Sequence, residues 1–241
     1  MLSIKNLEKY TNQFQTSLDN IVREYCQHLF LSYLYQEPGA EKLLFKGGTA
    51  LRIVFGSPRF SEDLDFTGSG IKHREIEGLI ANALSNIEKT GIPVEVKESK
   101  ETTGGYLGIV TLKVDDRIIH IQIEISLRSE KIITGTRAVI QNDFMPAYTL
   151  VHLPVNQLID QKIEALIVRQ KPRDFYDYFF LLSGNYASAK EKKNLKKVLD
   201  LVISTKLDFR NELRKFLPVS QAVHLKDFKK VLIDKINTYI G

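Results

Sequence analysis

KGGTALRIVFGSPRFSEDLDF, residues 46–66, places a glycine pair and an aspartate pair on one short stretch. The apolar run Leu43-Leu44-Phe45 precedes it, and Leu64, Asp65 and Phe66 alternate with the period of a half-buried strand. Residues two apart on a strand share a face, so Asp63 and Asp65 are expected to project together. Two neighbouring carboxylates repel unless a cation lies between them. A divalent ion answers this economically: Mg²⁺ takes carboxylate oxygens and fills its remaining positions with water and phosphate. Gly47 and Gly48 offer bare backbone N–H groups ahead of a helix expected from Thr49, which suits a phosphate. A phosphate seat beside a metal-binding acid pair points to chemistry on a nucleoside triphosphate. No glycine, four residues, then Gly-Lys-Ser/Thr string occurs, so the cradle is not a P-loop.

The chain around this stretch has 241 residues, 43% of them hydrophobic, enough for one domain or two small ones. Its net charge of +5 is compatible with nucleotide or nucleic-acid partners but carries little weight alone. The single cysteine, Cys26, permits no internal disulfide and lies in a helical apolar stretch, so it reads as core. No basic-then-apolar leader opens the sequence, and no apolar run reaches membrane-spanning length. A cytoplasmic protein without a membrane partner is expected.

Residues 1 to about 37 carry helical periodicity until Pro38-Gly39. A buried strand is expected over 42–46, a helix over 49–55, a strand at 64–66 and a helix over 72–90. Strands follow at 94–98, 106–114 and 118–127, the last two joined by a turn at Asp115-Asp116, with an edge strand at 137–140. From Leu153 the pattern becomes helical, over 156–169, 174–183, 188–204, 207–216 and 225–239. The expected fold is α+β, a mixed sheet flanked by helices in residues 1–150, followed by an all-α domain over 151–241. Five lysines between Lys190 and Lys197 read as the solvated face of a helix, with an RNA contact as the less favoured alternative.

Two carboxylates hold a metal poorly, and Glu124 is the best third. It sits in the strand whose Ile119, Ile121, Ile123 and Ile125 form the apolar face. The strand pattern alone favours a solvent-facing glutamate; beside Asp63 and Asp65 the balance turns to a ligand. Gly47-Gly48, a short helix, Asp63-Leu64-Asp65-Phe66 and Ile123-Glu124-Ile125 together resemble the signature of the DNA polymerase β-like nucleotidyltransferases. More narrowly, KGGTAL and RFSEDLDF, followed by Lys162-Ile163-Glu164-Ala165-Leu166, Arg169 and Arg173-Asp174-Phe175-Tyr176-Asp177, resemble the AbiEii/AbiGii toxin family over roughly residues 20–185.

The resemblance implies a nucleotidyltransferase-type palm sheet and a helical domain with the active site in the cleft between them. It implies triphosphate contacts from Gly48 and Thr49, Mg²⁺ (or Mn²⁺) on Asp63, Asp65 and Glu124, and a phosphate contact from Lys162. Asp177 matches an acidic position of the family without a clear role. The family often has aspartate as the third acid, so Glu124 departs from its pattern. The implied function is toxin-type transfer of a nucleoside monophosphate from NTP to an acceptor, notably the 3′ end of tRNA, in an abortive-infection or toxin–antitoxin (phage-defence) setting with a cognate antitoxin encoded nearby. Two alternatives stand beside it: an NTP-binding module without transfer, and transfer of NMP or phosphate to a protein side chain.

Other residues read two ways. Lys46 is a phosphate contact or a solvated lysine at a strand end. Arg59 and Ser61 precede the acids; Arg59 either reaches substrate phosphate or braces the loop through carboxylates. Lys162 borders the stripe of Ile159, Ile163, Leu166 and Ile167, where most lysines merely snorkel. Arg173 is a candidate substrate contact. Asp174 could cap a helix after Pro172, and Asp160, Glu164 and Asp177 could form an ionic network. His28, His73, His120, His152 and His224 show no paired spacing, so no zinc site is expected.

Overall fold

The computed structural model describes residues 2–129 and 131–240, apart from the side chain of His224. It divides into two compact units. One comprises the chain up to residue 56 together with 60–154; the other comprises 57–59 and the chain from 155 onward.

The first unit opens with two helices where the sequence suggests one: α1 (Ile4–Phe14) and α2 (Leu18–Leu34). Gln15 ends α1 in the left-handed region at φ 51°, and the Ser17 hydroxyl accepts the Asn20 N–H at 3.3 Å to start α2. Periodicity runs through the break because both helices bury apolar faces. Then follow β1 (Leu43–Lys46), α3 (Gly47–Ile53), β2 (Leu64–Gly68), α4 (His73–Glu88), β3 (Val94–Thr102), β4 (Gly105–Val114), β5 (Arg117–Ser126), β6 (Thr136–Ile140) and β7 (Tyr148–His152).

These strands form one mixed sheet in the order β3-β4-β5-β2-β1-β7-β6. β4 and β5 are an antiparallel hairpin turning at Asp115-Asp116, with Asp115 at φ 52°. β2 runs parallel to β5 and antiparallel to β1. β7 lies parallel to β1 and was not legible in the sequence; only five residues long, and set between Pro146 and Pro154, it has little room to show alternation. β3 runs to Thr102, beyond the expected 98. Its Lys97–Glu95 and Lys100–Glu98 pairs, at 2.6 and 2.5 Å, give a charged edge of the kind that resists pairing with another chain.

The alternation in β5 sets the two faces of the sheet. Ile119, Ile121, Ile123 and Ile125 are buried, and α2 packs on β5 and α4 over them. His120 and Glu124 point to the other, open face. Cys26 is fully buried in α2, where burial pushes its thiol up to about 12, as suits a core residue.

The second unit is helical: α5 (Val155–Arg169), α6 (Pro172–Ser183), α7 (Lys192–Ser204), α8 (Phe209–Leu213), α9 (Val219–Ala222) and α10 (Phe228–Ile240). Helix α7 starts later than expected, after a 3₁₀ turn at Ala187–Lys190, and α8 is shorter, begun by Asp208 accepting the Arg210 N–H. Phe209 ties the core together, 5.5 Å from the Phe175 ring and 5.1 Å from Phe228. Lys192, Lys193, Lys196 and Lys197 are exposed, opposite buried Leu195, Val198 and Val202. Among the described residues no helix is long and apolar enough to cross a membrane.

Candidate active site

The open face of the sheet carries a row of functional side chains because three strands hold them in register. Lys46 on β1 pairs with Asp65 on β2, and Asp65 pairs with Glu124 on β5. Registered neighbours lie on the same face, about 4.8 Å apart. Asp65 and Glu124 therefore face one another, with Lys46 next in line. All three line a pocket of about 400 Å³. Glu124 is exposed, and its carboxylate accepts a hydrogen bond from the Gln122 amide two residues earlier on the strand.

Gly47 stands where β1 turns into α3, at φ 83°. A Cβ there would lie 2.0 Å from the Asp65 Oδ2, so the glycine serves both a left-handed turn and the close approach of the carboxylate. Gly48 is buried in the first turn of α3. Thr49 is fully buried, and its hydroxyl donates to the Asp63 carbonyl. The resemblance implies that Thr49 contacts the triphosphate; in the structure its hydroxyl fastens the loop that carries the first acid. Asp63 itself is half-buried and precedes β2.

Ser61 contributes its carbonyl to the same loop. The Gln27 amide of α2 donates to the carbonyls of Ser61 and Glu62, both at 3.0 Å. Gln27 is 2% exposed and was missed in the sequence, because nothing local marks a buried glutamine as the brace of a loop 34 residues away.

In the helical unit, Asp177 is 1% exposed and takes three charged hydrogen bonds. Arg59 donates from Nε at 2.7 Å and from Nη2 at 3.0 Å, and Lys162 donates from Nζ at 2.9 Å. Burial alone would raise the Asp177 carboxyl, but the two cations outweigh it and hold the group at about 2. The same ion pairing keeps the Arg59 guanidinium charged despite its burial. Arg59 is thus a buried brace within this unit, the second of its two sequence readings, and Lys162 is held by a carboxylate rather than snorkelling. Arg173 lies 3.8 Å from Glu212 at the surface. Asp174 joins the start of α6, accepting the Lys171 N–H at 3.2 Å and Arg169 at 2.7 Å.

Among the described residues no three His, Cys, Asp or Glu side chains are grouped as a ready metal cage. The expected trio of Asp63, Asp65 and Glu124 is therefore not preassembled, although two of its members face each other. That pair still fits Mg²⁺, which is commonly bound by one or two carboxylates and completes its shell with water and substrate phosphates. All-oxygen donors also exclude a soft thiolate-type site here.

A palm of this strand order, with facing acids on β2 and β5 and a glycine turn into a short helix, is that of a nucleotidyltransferase. MenT4, a nucleotidyltransferase toxin from Mycobacterium tuberculosis H37Rv, is similar in structure, with a TM-score of 0.68 and 16% identity over 98% of this chain and 90% of its own. JHP933 from Helicobacter pylori has a TM-score of 0.54 and 20% identity over 92% of this chain and 95% of its own. No curated protein sequence matches. Residues 29–238 match the model of the AbiEii nucleotidyl transferase toxins of type IV toxin–antitoxin systems, and the chain belongs to that family.

Proposed function

We propose that this toxin-type nucleotidyltransferase moves a nucleoside monophosphate from an NTP to the 3′ end of an RNA, with tRNA as the first acceptor to test. The observation that carries this reading is the Asp65–Glu124 pair, facing across β2 and β5 beside Gly47 and open to a pocket. Such a pair, next to bare backbone at Gly47 and Gly48, suits a triphosphate whose charge must be neutralised. When bound, Mg²⁺ or Mn²⁺ would supply that neutralisation, on Asp65 and Glu124 with Asp63 as the third acid.

The acceptor hydroxyl oxygen forms a bond to the α-phosphorus. The bond from that phosphorus to the bridging oxygen breaks, and pyrophosphate leaves with the electron pair. Glu124, the more exposed of the facing carboxylates, receives the hydroxyl proton. Lys46, beside Asp65 on the sheet, takes a phosphate oxygen. Within the helical unit, Asp177 orients Lys162, the family's candidate phosphate contact, while Arg59 keeps Asp177 ionised and in place. Arg173, 3.8 Å from Glu212 within the helical unit, is a candidate for neutralising substrate charge rather than for chemistry. A cognate antitoxin and an NTP substrate follow from the family, and cytoplasmic action fits an NTP-consuming enzyme.

Incubation with each α-³²P-labelled NTP, Mg²⁺ and total tRNA tests this. Label is expected in RNA, at a level reduced by about a hundred- to a thousandfold in Asp65→Ala, since charge-stabilising groups of this kind each contribute on that order. Label in protein would move the activity to a side-chain acceptor. Bound nucleotide with no label transferred would leave only an NTP-binding module.

A further inference from the structure

We infer that the part of the pocket beyond Glu124 is the acceptor side of the site, and that Arg128 there grips a phosphodiester of the incoming RNA strand. This rests on the transfer reading above and adds to it a side, a residue and a ligand chemistry.

In-line displacement puts the attacking and leaving oxygens on opposite sides of the phosphorus. The glycine turn at Gly47 closes against one flank of Asp65, on the β1 side of the acid pair. Pyrophosphate leaving toward that turn requires the acceptor hydroxyl to arrive from the other flank, over β5 and β4. The pocket begins at Lys46 and Asp65 and extends onto that flank, from Glu124 past Ser126 to Arg128, where Leu107 of β4 and Gly104 of the β3–β4 turn also line it. Roughly 13 Å of extended chain separates Glu124 from Arg128, room for a sugar and its flanking phosphates.

Arg128 is exposed and makes no side-chain hydrogen bond or ion pair among the described residues. Its guanidinium lies over Gly104, where an added Cβ would come within 2.5 Å of Nε. The turn beneath it is fixed: Leu127 N–H donates to the Gly104 carbonyl at 2.8 Å, and a Cβ on Gly105 would fall 1.8 Å from the Ile125 carbonyl oxygen. A planar cation laid along a fixed turn beside a carboxylate pair matches the bidentate geometry by which arginine holds phosphate. The sequence offered no sign of it, since Arg128 follows its strand outside any motif.

The test compares wild type with Arg128→Glu, Arg128→Lys and Gly104→Val in the full chain. Two readouts are taken: steady-state transfer to total tRNA, and tRNA binding by fluorescence anisotropy without NTP. Arg128→Glu should raise the RNA KM and the anisotropy Kd roughly tenfold or more while the NTP KM stays within about twofold. Arg128→Lys should restore most of the binding, Gly104→Val should weaken it, and loss of one phosphate contact should flatten the salt dependence by about 0.7 in log–log slope. Unchanged RNA binding in Arg128→Glu, or equal losses for RNA and NTP, would overturn the inference while leaving the transfer reading intact. RNA binding that depends on Arg128 without any transfer by wild type would do the reverse.

Discussion

Gly47 shows how much of the site hangs on a single residue. Its φ of 83° favours glycine, and its missing Cβ leaves the space that the Asp65 carboxylate enters. Gly47→Ala is expected to cost about 1–2 kcal/mol from the backbone alone. Its larger effect is to push Asp65 out of register with Glu124. Denaturant unfolding should therefore show a modest loss while nucleotide transfer falls nearly as far as in Asp65→Ala; a stable, fully active alanine variant would refute the packing argument. The glycine pair and the Asp-Leu-Asp string were legible from the chain alone because they are local. The partner of Asp177 was not, since Arg59 lies 118 residues away and could equally have served a phosphate.

Among the elements, α2 carries the least expected chemistry. Its His28 is 3% exposed, with Nδ1 2.8 Å from the Tyr148 hydroxyl of β7, and Glu24 one turn earlier pairs with Arg52 of α3 at 3.1 Å. Burial, assisted by the Arg52 charge, lowers the His28 imidazole to about 3. Burial also raises Glu24, against the pull of Arg52. His28 thus stays neutral in the folded protein but takes a proton near 6.5 when unfolded. Its contribution to stability is complete above pH 6.5 and is lost as pH falls from there toward 3, by up to about 1.4 kcal/mol per pH unit. Urea unfolding at pH 7 and pH 5 checks this: wild type should lose more stability between the two than His28→Gln, and equal losses would count against it. Periodicity located α2 well, but its break at Gln15–Ser17 depended on a cap that the apolar spacing does not encode.

For the whole molecule, the chain's path matters as much as its elements. It passes into the helical unit for Ser57–Arg59, returns to build β2, and crosses again after Pro154. Asp177 secures that early excursion through Arg59 and holds Lys162 at the same time. Asp177→Asn removes the charge partner of two cations, and breaking a buried pair of this kind costs roughly 3–5 kcal/mol. Denaturant unfolding should register that loss, and trypsin should cut after Arg59 in the variant but not in wild type; protection in both would show that something other than Asp177 secures the segment. Because its carboxyl lies at about 2 rather than the ordinary 3.8, this stabilisation is complete above about pH 4 and disappears as pH falls toward 2. By itself the sequence determined what is written locally: the alternation of β5, the hairpin at Asp115-Asp116, the acids beside a glycine turn, and the change to helices after Leu153. Only the tertiary structure decided that Asp65 faces Glu124, that a five-residue strand at Tyr148–His152 completes the sheet beside β1, and that Arg59 belongs to Asp177. Strand register and buried ion pairing join residues tens of positions apart, and no spacing along a chain specifies which distant partner wins the contest for burial.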